Sequence, residues 1–350
     1  MNIEEHLMMP AEWHRHWATQ MHWPSSQEFP KDALLKEVEE IYCKIIEELH
    51  FYEPIHLFVK NLETRNKVMQ RLSGRAVDLD RITIHQQKIE NIWCRDHGPT
   101  FVKSGSQFVI IGWVEPTRFD SSEISQTNSD DILIPKYIAQ RYNLDHIKAL
   151  LPFGGGYFDV NGAGAALVSS SLISSNKKEE ADLRKELEKN FHRYLGVNQV
   201  IWLQDHTGTD KSLGHIDNIA RWISKDTVLV SGKEAGEISS KKWQANLDVL
   251  GSIRIENGKK LHVEVLPSPE VGYDLLNVQS HGKPTASYAN FYVANGVVLF
   301  PLFDHKYDQM AMEMVAKYFT GRKVIGIDCK ALVQSRGTIH GITQQWYGIG

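Results

Sequence analysis

Three stretches of the chain repeat apolar residues at the spacing of an amphipathic helix. The first, Lys31–His50, carries its apolar side chains on one stripe, and Asp32 can cap its start. The second, Lys177–Leu195, has one apolar face and stops before Gly196, a residue type that commonly ends helices. The third, Tyr307–Phe319, spaces its Met, Val and Tyr residues in the same way. We predict a helix over each stretch.

Short apolar runs rich in β-branched residues lie between these helices and predict strands. The predicted strands are Ile55–Val59, Phe108–Val114, Ala165–Val168, Thr227–Val230, His262–Val265, Phe291–Val293, Val297–Phe300 and Val324–Ile327. Loop, strand pair and helix recur about every 70 residues, which gives roughly five units and fits a ring of similar α/β modules. A doubly wound α/β sheet predicts the same alternation, so the pattern leaves both architectures open.

Composition narrows the class of protein. The chain has 350 residues, of which 42% are hydrophobic and 23% charged, enough for one large domain, and we expect residues 1–350 to form a single one. Its formal net charge of −4 shows no basic excess, so we expect no nucleic-acid partner. We also expect no membrane association, because no apolar run approaches the length of a membrane span.

Cysteine usage points to a reducing compartment. The three cysteines, Cys43, Cys94 and Cys329, are far apart and odd in number, which argues against a disulfide framework. Residues 1–9 have neither the basic nor the apolar segment of a secretory signal. We therefore expect a cytoplasmic protein.

Four polar, glycine-containing loops carry the candidate chemistry. They span residues 91–99, 154–162, 214–218 and 337–343. If residues 214–218 are extended, His215 and Asp217 point the same way, and a carboxylate beside an imidazole makes it a usable acid or base. Asp96 and Asp217 are suited to clamp a guanidinium, whose planar N–H groups match carboxylate oxygens.

Each of these patterns also has a structural interpretation. A His-x-Asp pair is commonly a hydrogen-bonded pair without a catalytic role, and Arg95 beside Asp96 is commonly a salt bridge. The glycine run 154–156 is commonly a tight turn, and no P-loop Lys-Ser/Thr follows it. His14-Arg15-His16 lacks a metal-ligand spacing, so we expect no metal. From the residues alone the function stays open.

Taken in order, six motifs make the chain resemble agmatine deiminases of the guanidine-modifying superfamily. The motifs are Met9–Trp13 with His22-Trp23-Pro24, Trp93–Pro99, Gly155-Gly156 through Gly164, Gly214–Asn218, Ser287–Tyr292 and Thr338–Gln345. They span nearly the whole chain. The resemblance implies a five-fold pseudosymmetric α/β propeller of ββαβ-type modules with the site at its centre.

The resemblance also implies a reaction. In the family a cysteine thiolate attacks the guanidinium carbon and expels ammonia, and a histidine-activated water then hydrolyses the intermediate. Agmatine becomes N-carbamoylputrescine, a step toward putrescine and the polyamines, without cofactor or metal. The implied partner is a small cationic guanidine, agmatine rather than arginine, and a homo-oligomer is compatible with the sequence.

Mapped onto this chain, the resemblance places the guanidinium-binding acids at Asp96 and Asp217, the acid/base at His215 and a substrate contact at Trp93. Two positions depart from the family. Gly341 stands where the family has its cysteine nucleophile, and Gly154 stands where it has its catalytic glutamate.

Glycine cannot attack a substrate, so we predict that the chain as written does not run the family reaction. Cys94 is the one cysteine near the predicted site; in a strand it would share a face with Asp96, but we expect a packing role for it. Three hypotheses remain: a guanidine-binding pseudoenzyme, an active deiminase whose sequence here carries inactivating substitutions, or a non-catalytic interaction protein on the same fold.

Overall fold

A computed structural model describes residues 7–114, 130–173, 177–207, 214–233, 236–255, 258–269, 286–335 and 337–348. The strands in these ranges are β1 (Leu7–Met8), β2 (Ala18–His22), β3 (Ile55–Val59), β4 (Ile82–Gln86), β5 (Thr100–Ser104), β6 (Gln107–Val114), β7 (Asp145–Pro152), β8 (Phe158–Val160), β9 (Ala165–Ser169), β10 (Gln199–Leu203), β11 (Ala220–Ser224), β12 (Thr227–Val230), β13 (His262–Val265), β14 (Tyr292–Ala294), β15 (Val297–Leu302), β16 (Lys323–Asp328) and β17 (Gln344–Trp346). The helices are α1 (Asp32–Leu49), α2 (Leu62–Ser73), α3 (Cys94–His97), α4 (Ile134–Tyr142), α5 (Lys177–Leu195), α6 (Glu237–Ser252) and α7 (Asp308–Ala316).

One small module repeats along the chain. Two antiparallel strands come first, a helix follows, and a third strand returns parallel to the second. The modules formed this way are β5-β6-α4-β7, β8-β9-α5-β10, β11-β12-α6-β13 and β14-β15-α7-β16. The crossover needs a helix because a parallel neighbour cannot be reached by a tight hairpin.

The fifth sheet joins the two ends of the chain. The C-terminal strand β17 pairs antiparallel with β2, α1 follows, and β3 returns parallel to β2. After α2, strand β4 pairs parallel with β3 and extends this sheet. β1 adds an edge strand to the sheet of β5–β7. The described residues therefore form five sheets, the number of units that the sequence indicates, and the predicted mixed α/β fold is confirmed.

The predicted elements are largely present. Strands β3, β12 and β13 have the predicted bounds, and helices α1 and α5 match the predicted ones to within a residue. α7 ends at Ala316 rather than Phe319, because the following residues turn back and the Tyr318 N–H bonds the Val315 carbonyl. None of the helices in the described ranges combines the length and the apolar character needed to cross a bilayer.

The helices pack against the sheets with the faces that the periodicity predicts. α1 buries most of its apolar stripe, including Val38, Tyr42 and Ile45, in a cluster shared with β15 and β16. Each such side chain contributes about 1.5–3 kcal/mol on burial. The loops that precede the first strands of the modules contact one another in the interior.

Candidate active site

The loop that carries Asp96 is shaped by side-chain hydrogen bonds before it. The Asn91 side chain accepts from the Trp93 N–H and donates to the Asp131 carboxylate, and the Ile92 N–H donates to Glu28. These contacts precede the short helix α3, which ends at His97 and is followed by Gly98. Side chains two residues apart on a helical turn point in different directions.

The expectation that Cys94 shares a face with Asp96 in a strand is therefore wrong. The Cys94 thiol lies 3.6 Å from the Gln20 carbonyl oxygen and is completely buried. Burial raises the pKa of this thiol far above its ordinary value. Cys94 is a packing residue, and it supplies no thiolate to the site.

The glycine run lies directly against the Asp96 loop. The Gly155 N–H donates to the Arg95 carbonyl at 3.0 Å. A Cβ on Gly154 would sit 2.6 Å from the backbone oxygen of Asp96, too close for any other residue without a backbone shift. The sequence suggests a tight turn at residues 154–156. In the structure the backbone of this segment also packs closely against residues 95 and 96.

His215 approaches Asp96 across Gly156. The His215 Nδ1 atom lies 3.8 Å from Asp96 Oδ1, and a Cβ on Gly156 would lie within 2.8 Å of both atoms. The ring of Tyr157 packs edge-on against His215 at 4.5 Å, and the Ile216 N–H donates to the Gly156 carbonyl. His215 and Asp96 each keep roughly a fifth to a quarter of their side-chain surface exposed, 22% and 24%.

Residues 216–218 are not extended, contrary to the expectation for this loop. Ile216–Asn218 form a single 3₁₀ turn, which buries Asp217 while His215 stays at the surface of the site. The turn is held by Ser287, whose hydroxyl donates to the Asn218 carbonyl, and by Asn290, whose amide donates to the Asn218 side chain. The two residues of the His-x-Asp pair thus lie near one another without sharing a strand face.

Both acids of the site keep one carboxylate oxygen free. Asp217 Oδ2 lies 2.7 Å from His340 Nδ1, whereas Asp217 Oδ1 and Asp96 Oδ1 are buried atoms that form no hydrogen bond. Two buried acceptors without donors are costly unless a ligand supplies the donors. This arrangement is able to receive a planar group that carries several N–H donors.

The environments of the two carboxyls differ. Burial raises the pKa of Asp96, and the negative charge of Asp217 raises it further, while His215 opposes the shift. Burial alone would raise the pKa of Asp217 as well, but the hydrogen bond and charge of His340, together with the charges of His215 and Arg221, lower this pKa below its ordinary value. Asp217 is therefore the firmly ionised acid of the pair.

Trp93 occupies the space beside the position where the resemblance places a nucleophile. A Cβ on Gly341 would lie 2.9 Å from the indole Cε3, and one on Gly337 would lie 2.4 Å from the indole Cζ3. The indole thus rests on the backbone of residues 337–341. No thiol lies in this part of the site, because the three cysteines, Cys43, Cys94 and Cys329, are all buried elsewhere.

Sequence reasoning missed a buried charge network beneath the site. Glu12 lies 2.7 Å from His340 Nε2, 2.9 Å from Arg221 and 3.6 Å from Arg95. Arg221 also pairs with Asp159 at 3.2 Å. The sequence offers a salt bridge between Arg95 and Asp96 as the structural interpretation. In the structure Arg95 pairs with Glu12 instead.

The sequence contained one usable signal for this network. Glu12 and His340 both lie inside motifs that carry the family resemblance. Their contact joins residues 328 positions apart. Local patterns cannot indicate such a pair.

One further group of potential metal ligands is explained by hydrogen bonding. His22, His97 and Asp131 lie within 4.8 Å of one another. The Trp346 indole donates to Gln20 Oε1, so the Gln20 amide nitrogen donates to His22 Nε2. The proton of a neutral His22 is then on Nδ1, facing His97 Nε2 at 3.3 Å, and this tautomer offers a metal no lone pair there.

Comparison with known proteins decides the family. The family model of the Porphyromonas-type peptidyl-arginine deiminases matches residues 8–346. The chain belongs to this family. A protein of Legionella pneumophila (strain Paris), provisionally named an agmatine deiminase, is 27% identical over 340 residues. The alignment covers 96% of this chain and 94% of that protein. An agmatine deiminase of Pseudomonas fluorescens is 25% identical over 356 residues, with 96% of this chain and 94% of that protein covered.

The fold of this family member matches solved structures. It superposes on agmatine deiminase of Enterococcus faecalis with a TM-score of 0.82 at 24% identity, covering 97% of this chain and 95% of that one. It also superposes on a Cys-to-Ser variant of C. jejuni agmatine deiminase with substrate bound, with a TM-score of 0.79 at 18% identity, covering 98% and 97%. The resemblance to agmatine deiminases is thereby confirmed at the level of family and fold.

Proposed function

We propose that this family member binds a small cationic guanidine between Asp96 and Asp217 and does not hydrolyse it. The observation that carries the proposal is the pair of buried carboxylate oxygens, Asp96 Oδ1 and Asp217 Oδ1, that accept no hydrogen bond. A guanidinium supplies both the charge and the N–H donors that these oxygens lack. His215 stands beside Asp96 at the partly exposed side of the site.

The absence of turnover follows from the chemistry of position 341. The family reaction needs a thiolate within reach of the guanidinium carbon, and Gly341 has no side chain. In the protease subtilisin, removing the nucleophile costs about 10⁶-fold in turnover. The solved C. jejuni agmatine deiminase with substrate bound carries serine for a cysteine, which supports the idea that such sites hold substrate without a cysteine thiol.

We favour agmatine as the ligand. Several relatives carry the name agmatine deiminase, and agmatine lacks the α-carboxylate that arginine would bring into this acidic site. Two buried carboxylates repel a third, so a ligand with a second cation is favoured over one with an anion. A protein that only holds its ligand would sequester agmatine or report its presence.

Titration calorimetry with paired variants tests the proposed binding site. We expect saturable agmatine binding by the wild type, and a loss of at least about tenfold in affinity for Asp217→Asn, because one charge-assisted hydrogen bond is worth about 1.5–3 kcal/mol. Asp304→Asn, an exposed acid far along the chain, serves as the matched control. Equal affinity in Asp217→Asn and Asp304→Asn would contradict the proposed site.

A further inference from the structure

The buried side chain of His340 lies between two carboxylates. Its Nδ1 lies 2.7 Å from Asp217 Oδ2 and its Nε2 lies 2.7 Å from Glu12 Oε2. A carboxylate oxygen only accepts, so a ring that bonds ionised carboxylates at both nitrogens must donate from both. His340 is therefore an imidazolium between two anions.

The backbone of His340 is also fixed from two sides. Its N–H donates to the side chain of Asn290 at 3.1 Å, and its carbonyl accepts from Arg95 Nε at the same distance. The His340 side chain is 3% exposed, so neither water nor an alternative rotamer replaces these contacts easily. The imidazolium is thus locked in one orientation.

This orientation has a consequence for the proposed binding site. The bond from His340 holds Asp217 Oδ2, so the other oxygen, Asp217 Oδ1, is the one left without a partner. The same bond and charge lower the pKa of Asp217 against the opposing effect of burial. His340 therefore affects both the direction and the ionisation of the acid.

We infer that His340 is a positioning residue that fixes Asp217 Oδ2 and thereby presents the free oxygen, Asp217 Oδ1, to the guanidinium, while Glu12 fixes the other nitrogen of the His340 ring. This inference rests on the proposed guanidine binding. His340 acts on the ligand through Asp217, because both of its ring nitrogens are hydrogen-bonded to Asp217 and Glu12.

Other titratable groups surround this unit. The groups that face Asp217, His340 and Glu12 from the surrounding loops and strands are Asp96, Arg95, Asp159, His215, Arg221, Arg322, Tyr292 and Tyr347. Arg95 and Arg221 compensate Glu12 and Asp159, and His340 compensates Asp217. Asp96 is left as the acid without a permanent cation, which matches the positive charge of a bound guanidinium group.

The first experiment uses His340→Gln in agmatine titrations at several pH values. Glutamine can donate to one of the two carboxylates but carries no charge, so Asp217 takes up a proton more easily. At pH 7 we expect about tenfold weaker binding or more, recovering toward the wild-type affinity as the pH is raised to about 9. The ratio of wild-type to variant affinity, measured at each pH, is the readout, because it cancels the titration of the ligand, which is the same in both experiments.

His16→Gln is the matched control. His16 is also buried and contacts a carboxylate, Glu53 at 3.2 Å, as well as the Glu12 carbonyl, but it does not touch Asp217. A general loss of stability would affect both variants alike, whereas only His340→Gln should show the pH-dependent recovery. A weakening that is the same at every pH, or recovery in both variants, would overturn the positioning role.

A second measurement needs no variant. Nitrogen-15 NMR of histidine-labelled wild-type protein should show a buried imidazole with both nitrogens protonated at pH 7, assigned to His340 by its absence in His340→Gln or in the more conservative His340→Asn. A bare nitrogen on His340 would overturn the inference even if agmatine binds. Failure of the wild type to bind agmatine, with both nitrogens protonated, would instead count against the proposed function alone.

Discussion

The glycines of the site differ in how much space they leave for a side chain. Gly154 has the carbonyl oxygen of Asp96 at 2.6 Å from where its Cβ would be, and backbone cannot move aside cheaply. Gly341 meets only the edge of the Trp93 ring, at 2.9 Å, and a ring can rotate or tilt. The two positions that depart from the family therefore have different tolerances for a side chain.

We predict that Gly154→Ala lowers the free energy of unfolding by about 1–3 kcal/mol, as expected when a side chain is forced into packed backbone. Gly341→Ala should cost less than about 1 kcal/mol. Gly251→Ala, in α6 with no atom within 4 Å of the added Cβ, is the control and should be neutral or stabilising. Urea unfolding measures all three, and equal losses at 154 and 341 would refute the distinction.

The same geometry bears on the hypothesis that only two side chains are missing from an active enzyme. Gly341→Cys needs a shift of Trp93, but Gly154→Glu needs a shift of the Asp96 segment itself. We therefore expect the double variant to fold less stably and to release no ammonia from agmatine. Clear ammonia release by the double variant would favour an inactivated deiminase over a binding protein.

At the scale of elements, sequence reasoning succeeded where one face of an element is apolar. α1 and α5 were predictable because their apolar positions repeat every three to four residues, and β3 because a short β-branched run ends at polar residues. The turns at 94–97 and 216–218 were not, because they depend on residues distant in the sequence. Asp131 and Glu28 hold the segment before the first turn, and Asn290 holds the second turn.

The apolar stripe of α1 allows a direct test at this scale. Ile45 is fully buried in the cluster between α1 and the sheet, whereas Lys36 on the same helix is exposed. We predict that Ile45→Ala lowers the free energy of unfolding by about 2–5 kcal/mol, and that Lys36→Ala changes it by less than about 0.5 kcal/mol. Thermal unfolding followed by circular dichroism would show the difference, and similar melting temperatures would contradict the packing of α1.

At the scale of the whole molecule, the five sheets converge on one buried set of charges. The family resemblance predicted the acids at Asp96 and Asp217 and the five-unit α/β fold. It could not supply the contact between Glu12 and His340, since that pairing depends on β17 meeting β2 across almost the full length of the chain. Such long-range contacts arise only in the folded chain.

Buried histidines should make this molecule sensitive to acid. Burial lowers the pKa of His22, His56 and His97 to about 3 and that of His85 to about 4. Between pH 6.5 and 4 the unfolded chain binds these protons and the folded chain does not, so stability falls as the pH falls. Each histidine contributes up to about 1.4 kcal/mol per pH unit. Burial raises the pKa of Glu28 from 4.5 to about 7, so between these pH values the folded chain binds this proton and the unfolded chain does not. Glu28 therefore offsets the contribution of one histidine to the pH dependence of stability.

The slope of stability against pH tests this linkage. His97→Asn removes one of the four groups, so we expect its unfolding free energy to fall less steeply between pH 6.5 and 5, by up to about 1.4 kcal/mol per pH unit. A constant loss of stability from the substitution does not change the slope. An unchanged slope would show that His97 takes up its proton in the folded state.

Binding without turnover can be tested in one calorimetric titration of the wild-type chain with agmatine at neutral pH, followed by an ammonia assay of the cell contents. We predict a saturable binding isotherm that returns to baseline after each injection, with no ammonia. Sustained heat accompanied by ammonia would show turnover without a cysteine at position 341 and would contradict the loss of catalysis. The absence of any binding at two temperatures would contradict the guanidine site and favour an interaction protein built on the deiminase fold.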